Sequence, residues 1–162
     1  MKYVMKERMF SLGDDHWIED EHGEKAFLVD GKVLRLRETF ELKDQAGQVV
    51  AVVKKKVVTV RDAMKIEDAE GEVIATVREK LFTPFRDKYK VELESGGELE
   101  IHGNLLDRDY RIEDEHGREL AEISRRWFSI RDAYGIKVHE GGDTPLLLAI
   151  AVCIDHMVAE EH

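Results

Sequence analysis

Histidine set among carboxylates is the combination in this chain with the clearest chemical potential. Glu-Asp-Glu-His-Gly occurs twice, ending in His22-Gly23 and His116-Gly117, and Asp155-His156 stands near the C-terminus. Imidazole beside carboxylate binds transition metals or moves protons near neutral pH. Other turns of the same pattern lack the histidine, however, and an aspartate followed by glycine is turn chemistry in its own right. His22 and His116 are therefore expected to be solvated turn residues. Cations form the second group. Lys54, Lys55, Lys56, Lys80, Arg125 and Arg126 fall at equivalent places in three repeats, which would set them along one rim able to take an anion or a lipid head group. Consecutive strand residues face opposite ways, and lysine at strand ends also serves solubility and edge protection.

Enzyme signatures do not emerge. The chain has no Gly-rich phosphate loop, no Gly-x-Ser-x-Gly elbow and no His-Glu-x-x-His. Its carboxylates are spread over turns without a spacing that pairs an acid with a base. The expectation is a non-enzyme with no catalytic residue, cofactor or metal. The alternative is an enzyme working through carboxylates and histidine at one end of the fold. Cys153 is the one cysteine, so an intramolecular disulfide and a cysteine-rich zinc site are excluded. It lies in an apolar run and reads as an inert core thiol. Trp17, Trp127 and Phe128 read as packing on the wall or rim.

Charge narrows the partners. A net charge of −10 over 162 residues repels phosphate backbones, which argues against nucleic acid. Charged residues at 37% and apolar ones at 43% describe a globular chain, and its length suits one domain spanning 1–162. The N-terminus alternates polar and apolar residues, unlike a secretion signal, so a cytoplasmic location is expected.

The elements that must carry these residues are announced by a repeat. Ile18-Glu19-Asp20-Glu21-His22-Gly23 returns as Leu42 to Gly47, Ile66 to Gly71 and Ile112 to Gly117, with looser copies at Val91 to Gly96 and Ile136 to Gly141. In one unit, Phe40 and Leu42 alternate with Glu41 and Lys43, a turn follows, and Val49 to Val53 runs apolar. That is a β-hairpin whose terminal glycine takes positive φ and creates a bulge, while the aspartate accepts from amides two residues on. Between glycines, Arg37-Glu38, Arg61-Asp62, Arg86-Asp87, Arg108-Asp109 and Arg131-Asp132 mark the handover to the next hairpin. They read as exposed pairs with neighbouring turns. Two turns per repeat and six repeats predict about twelve strands.

The C-terminal segment departs from this pattern. Thr144 reads as an N-cap and Pro145 as the first helical residue, and Leu146 to Ile154 follows with no polar side chain. Nine residues span only about 14 Å as a helix, too little for a bilayer, so protein must bury the segment on all sides. A barrel of about twelve strands is wide enough to hold a helix. Ala51, Ala75 and Ala121 each fall four residues after a glycine, with Val53, Val77 and Ile123 two further on, and would let the wall approach that helix. The expectation is a mainly β protein: a closed antiparallel barrel over about 2–140, threaded by a central helix over about 145–158. Asp155-His156 then falls at the barrel mouth, where the helix regains solvent.

These hairpins ending in Asp-x-x-Gly, the Arg-Asp pairs and the apolar C-terminal helix resemble the LURP-one-related family, whose fold is shared with tubby C-terminal domains and phospholipid scramblases. The resemblance covers about Tyr3 to Val158 and implies a twelve-stranded barrel around a central helix. It further implies a binding or scaffold module, with a phospholipid or a protein as partner. The proline-rich region and cysteine cluster of scramblases have no counterpart here, and no phosphoinositide-binding residue carries over.

Overall fold

The computed structural model describes residues 1–7, 15–30, 39–56, 63–80, 89–127 and 132–161. Twelve strands form a closed antiparallel barrel: β1 (Lys2–Lys6), β2 (His16–Asp20), β3 (Lys25–Asp30), β4 (Thr39–Lys43), β5 (Val49–Lys56), β6 (Ala63–Glu67), β7 (Val73–Glu79), β8 (Tyr89–Leu93), β9 (Glu98–Asn104), β10 (Asp109–Glu113), β11 (Glu119–Ser124) and β12 (Ala133–Val138). Each strand pairs with its neighbours in sequence, and β1 pairs with β12 across the seam, Tyr3 opposite Ile136. Closure leaves no unpaired sheet edge.

The turns follow from the repeated motif. Asp20, Asp44, Asp68 and Asp114 each accept at Oδ1 from the amides two and four residues on, at 2.8–3.0 Å. In Asp114 the Arg118 amide foremost, then that of His116, holds the carboxyl below its usual range. The terminal glycines have positive φ, as at Gly47 (φ 83°), and the ladder shifts register just before the turn, as between Leu42 and Lys43. The sixth unit differs in its second arm. After Gly141 the chain enters the helix, and β1 takes the place beside β12.

The helix α1 covers Thr144–Glu161. Its N-cap is Asp143, one residue earlier than expected: the Asp143 carboxylate accepts from the Leu146 amide at 3.2 Å, and its carbonyl accepts from Leu147 at 2.9 Å. A carboxylate there satisfies an otherwise orphaned amide and suits the positive end of the helix dipole. Residues 147–158 are all buried, so this stretch has no wet face. The α1 surface meets alternate residues of the wall, including Ala51 and Val53 of β5, Ala75 and Val77 of β7, and Tyr134 and Ile136 of β12, all at or below 2% exposure. Among the described residues no helix is long and apolar enough to cross a membrane.

The small wall residues set the clearance around α1. Replacing Ala51 with leucine adds three carbons where no space exists, and overpacking of this kind costs about 1–3 kcal/mol. Guanidinium unfolding of Ala51→Leu is expected to show that loss, while Val52→Leu, on the outer face of β5 between buried Ala51 and Val53 and opposite Glu41, stays within about 0.5 kcal/mol of the parent.

Candidate functional site

With α1 filling the lumen, the surface open to partners is the outer wall and the two ends. One end carries the glycine turns. The other carries the β9–β10 turn and the end of β11, where two adjoining hollows share Asp109 and Arg126. The larger, about 380 Å³, is lined by residues that include His102, Asn104, Asp109, Arg111, Glu122 and Arg126. The smaller, about 300 Å³, is lined by Asp107, Asp109, Ser124, Arg125 and Arg126.

Local sequence builds this rim. Asn104 opens the β9–β10 turn: its Oδ1 accepts from the Asp107 amide at 3.1 Å, and its Nδ2 donates to the Asp107 carboxylate at 2.8 Å. The turn ends at Arg108, in the left-handed region with φ 48°. Leu106 is left at its tip, 45% exposed. Gly103 is required beside it, with φ 129°, the Asp109 carbonyl oxygen against the place where a Cβ would stand and the Tyr110 Cα 2.7 Å from it. Any side chain there would push β9 and β10 apart.

The expected basic rim is distributed rather than gathered. Lys54 ion-pairs with Glu67 at 2.9 Å, Arg125 donates to Glu7 at 2.6 Å, and Arg126 reaches Asp109 at 3.2 Å. Lys55 and Lys56 pair through their backbones with Met64 and Ala63 on β6, and Lys80 follows β7. All six residues lie at the end away from the glycine turns. Four strand positions nevertheless separate β7 from β11, or about 19 Å at 4.8 Å per strand. Arg125 and Arg126 are the members that the structure places on the hollows.

Two sequence expectations are corrected. Asp155 and His156 do not regain solvent at a barrel mouth; they are 4% and 8% exposed, with Met157 and Val158 buried beyond them. Arg108 is not an exposed partner of a neighbouring turn. It turns into the lumen and ion-pairs with Asp155, its Nε donating at 3.0 Å and its Nη2 donating to the same oxygen. Nη1 donates to the Leu106 carbonyl at 3.1 Å, and the guanidinium lies 5.9 Å from the Tyr134 ring centre. Burial opposes the charge on Arg108, but the Asp155 carboxylate more than offsets it and the pKa is raised. Burial also pushes the Tyr110 and Tyr134 hydroxyls up, with Asp155 adding to it. The His156 ring packs edge-on to Phe40, with ring centres 5.5 Å apart. The positive φ that lets Arg108 reach inward has no signature in the sequence.

The remaining candidates lie where the turns and wall put them. His22 and His116 are exposed, in turns belonging to different hairpins. Trp17 and Trp127 lie on the outer wall, each under a lysine ammonium at 5.1 Å, from Lys25 and Lys2 respectively. Asp132 ends its connection with φ 58°. Phe128 and the Arg-acid pairs at 37–38, 61–62 and 86–87, with Arg131, lie outside the described residues. One cluster escaped the sequence reading: Glu100 and His102 of β9 and Glu113 of β10 bring their donor atoms within 4.8 Å of one another on the outer face.

Comparison with known proteins agrees with this geometry. The family model described as LURP-one-related matches residues 1–155. A crystal structure of an Arabidopsis thaliana protein superposes with a TM-score of 0.69 over 96% of this chain and 91% of its own, at 17% identity, which speaks for a shared fold. A 63-residue segment is 33% identical to the Inactivation-no-after-potential D protein of Drosophila melanogaster, covering 39% of this chain but 9% of that protein.

Two outcomes test the buried groups. Asp155→Ala strands a buried guanidinium and is expected to cost about 3–5 kcal/mol in chemical unfolding, whereas Arg108→Met with Asp155→Leu recovers most of that loss. Cys153 is fully buried, and burial raises its thiol pKa. The thiol therefore stays protonated, and Ellman's reagent at pH 8 is expected to label it only after unfolding.

Proposed function

The chain belongs to the LURP-one-related family, and on that premise we propose that it is a non-catalytic binding module engaging a protein partner on the outside of the barrel, at the rim of the β9–β10 turn and the end of β11. The observation that carries this reading is the occupied lumen. Residues 147–158 leave no interior for a ligand, so recognition falls to the exterior.

The chemistry of the rim favours protein over lipid. Arg125 and Arg126 have side chains 43% and 76% exposed, but Glu7 and Asp109 lie against them, and Asp107, Glu119 and Glu122 line the same hollows. An anionic head group would meet these carboxylates, and the net charge of −10 would repel an anionic membrane. Interleaved charges around exposed Leu106 match the polar rim and apolar anchor of a protein contact. The single, buried cysteine supports a reducing compartment such as the cytoplasm.

Photo-crosslinking tests this in the native host, with a photoreactive residue in place of Leu106 and, as control, in place of Gln45 on a glycine turn. A discrete adduct is expected at position 106, and charge reversal at Arg125 and Arg126 should reduce it about tenfold or more. Vesicle co-sedimentation provides the opposing arm. Binding to phosphoinositide-containing vesicles at physiological salt, abolished by the same reversals, would replace the protein partner with a lipid.

A further inference from the structure

We propose that Glu100, His102 and Glu113 form a surface site for a borderline divalent transition ion of the Zn²⁺ class. Glu100 and His102 are two residues apart on β9 and share its outer face, while Glu113 lies directly opposite Glu100 in the β9–β10 ladder. The barrel wall thus fixes three donors on adjacent strands, a more rigid platform than a loop would provide.

The donor spacing fits a common ion. Two ligands about 2.0–2.2 Å from one metal stand roughly 2.9 Å apart at right angles and roughly 3.4 Å apart at the tetrahedral angle. His102 Nε2 lies 2.9 Å from Glu100 Oε2 and 3.4 Å from Glu113 Oε2. A single Nε2 proton cannot point at both carboxylates, whereas a cation seated among the three atoms satisfies all of them. It also relieves the repulsion between like charges facing each other across a ladder. Glu113 is held for this role by Arg111, whose Nε donates to Oε1 at 2.7 Å and leaves Oε2 turned to the imidazole. Fixing one carboxylate oxygen to orient the other is a regular feature around metal sites.

The donor set selects the class of ion. One imidazole with two carboxylates suits zinc and its first-row neighbours, while Mg²⁺ and Ca²⁺ prefer all-oxygen shells. The side chains are partly accessible, at 47% for Glu100, 24% for His102 and 18% for Glu113, so an ion can enter without opening the barrel. His102 also lines the larger hollow. Three protein donors leave a further position for water, or for a donor that a molecule in the hollow supplies.

Isothermal titration of the untagged, metal-free protein with Zn²⁺ tests the site, with His102→Ala, the nearly isosteric Glu100→Gln, and His116→Ala as a control in an exposed turn. The wild type is expected to bind one ion, with retention of binding in about a hundredfold excess of Mg²⁺. Both site variants should weaken binding about tenfold or more, with unchanged circular dichroism, and His116→Ala should match the wild type. Absence of saturable binding, wild-type affinity in either site variant, or equal loss in His116→Ala overturns the site. The protein partner at the rim is read from the crosslinking arm, so the two readings fail separately.

Discussion

A run of twelve buried helical residues has no interface to share with water, and every other feature of this fold accommodates it. Removing an apolar side chain of valine or leucine size from water contributes about 1.5–3 kcal/mol, so the segment from Leu147 to Ile154 is a large part of the driving force. It is recovered only if protein surrounds the helix. A sheet of fewer strands would close too tightly, and an open sheet would leave one helix face wet. Twelve strands provide the circumference, and the alanines on β5 and β7 provide the clearance. The seam between β1 and β12 matters for the same reason: it joins the two ends of the strand sequence, so the enclosure is complete only when the first strand is in place.

The lumen also contains a polar contact. Asp155 lies on the helix and Arg108 on the β9–β10 turn, 47 residues apart. A buried pair of this kind adds little net stability compared with apolar side chains of similar shape. Its effect is positional. The same guanidinium donates to the Leu106 carbonyl, so the helix, the turn and the exposed leucine at its tip are held by one side chain. The rim geometry is thereby tied to the rotation of the helix within the barrel, and a rotated helix would leave a charge unpaired in a dry interior.

What could be read from the sequence was what repeats or what lacks polarity. The Asp-x-x-Gly turns could be located because local chemistry dictates them: an aspartate accepting from the amides after it, and a glycine in the left-handed region. The apolar helix and the alanines facing it were legible because periodicity assigns their faces. Other features depended on which distant residues become neighbours. Arg108 looked like the other Arg-acid pairs, and only its turn geometry sends it inward. Asp155 is expected at a wet mouth because its partner, Arg108, lies 47 residues away in the chain. Glu100 and His102 share a strand face by simple alternation, but Glu113 joins them only once the β9–β10 register is known. The N-cap moved from Thr144 to Asp143 because both types cap helices, and the choice depends on where the chain leaves β12.

The contrast between inside and outside explains where recognition can reside. Inward positions are committed to packing against the helix, so a change there is a change in stability. Outward positions alternate with them along each strand, and neighbouring strands place them in a grid with about 4.8 Å between rows and about 7 Å between same-face residues in a row. Such a grid brings three side chains from two strands within reach of one small ion, and the Glu100, His102 and Glu113 cluster uses that spacing. It also keeps charged groups close enough to pair, which is why Lys54, Arg125 and Arg126 each meet a carboxylate rather than forming one positive field. On the binding role proposed above, a wall of this kind would recognise by local pattern. Specificity would then lie in which few outer residues stand together at a given rim, and those residues can vary without disturbing the enclosed helix.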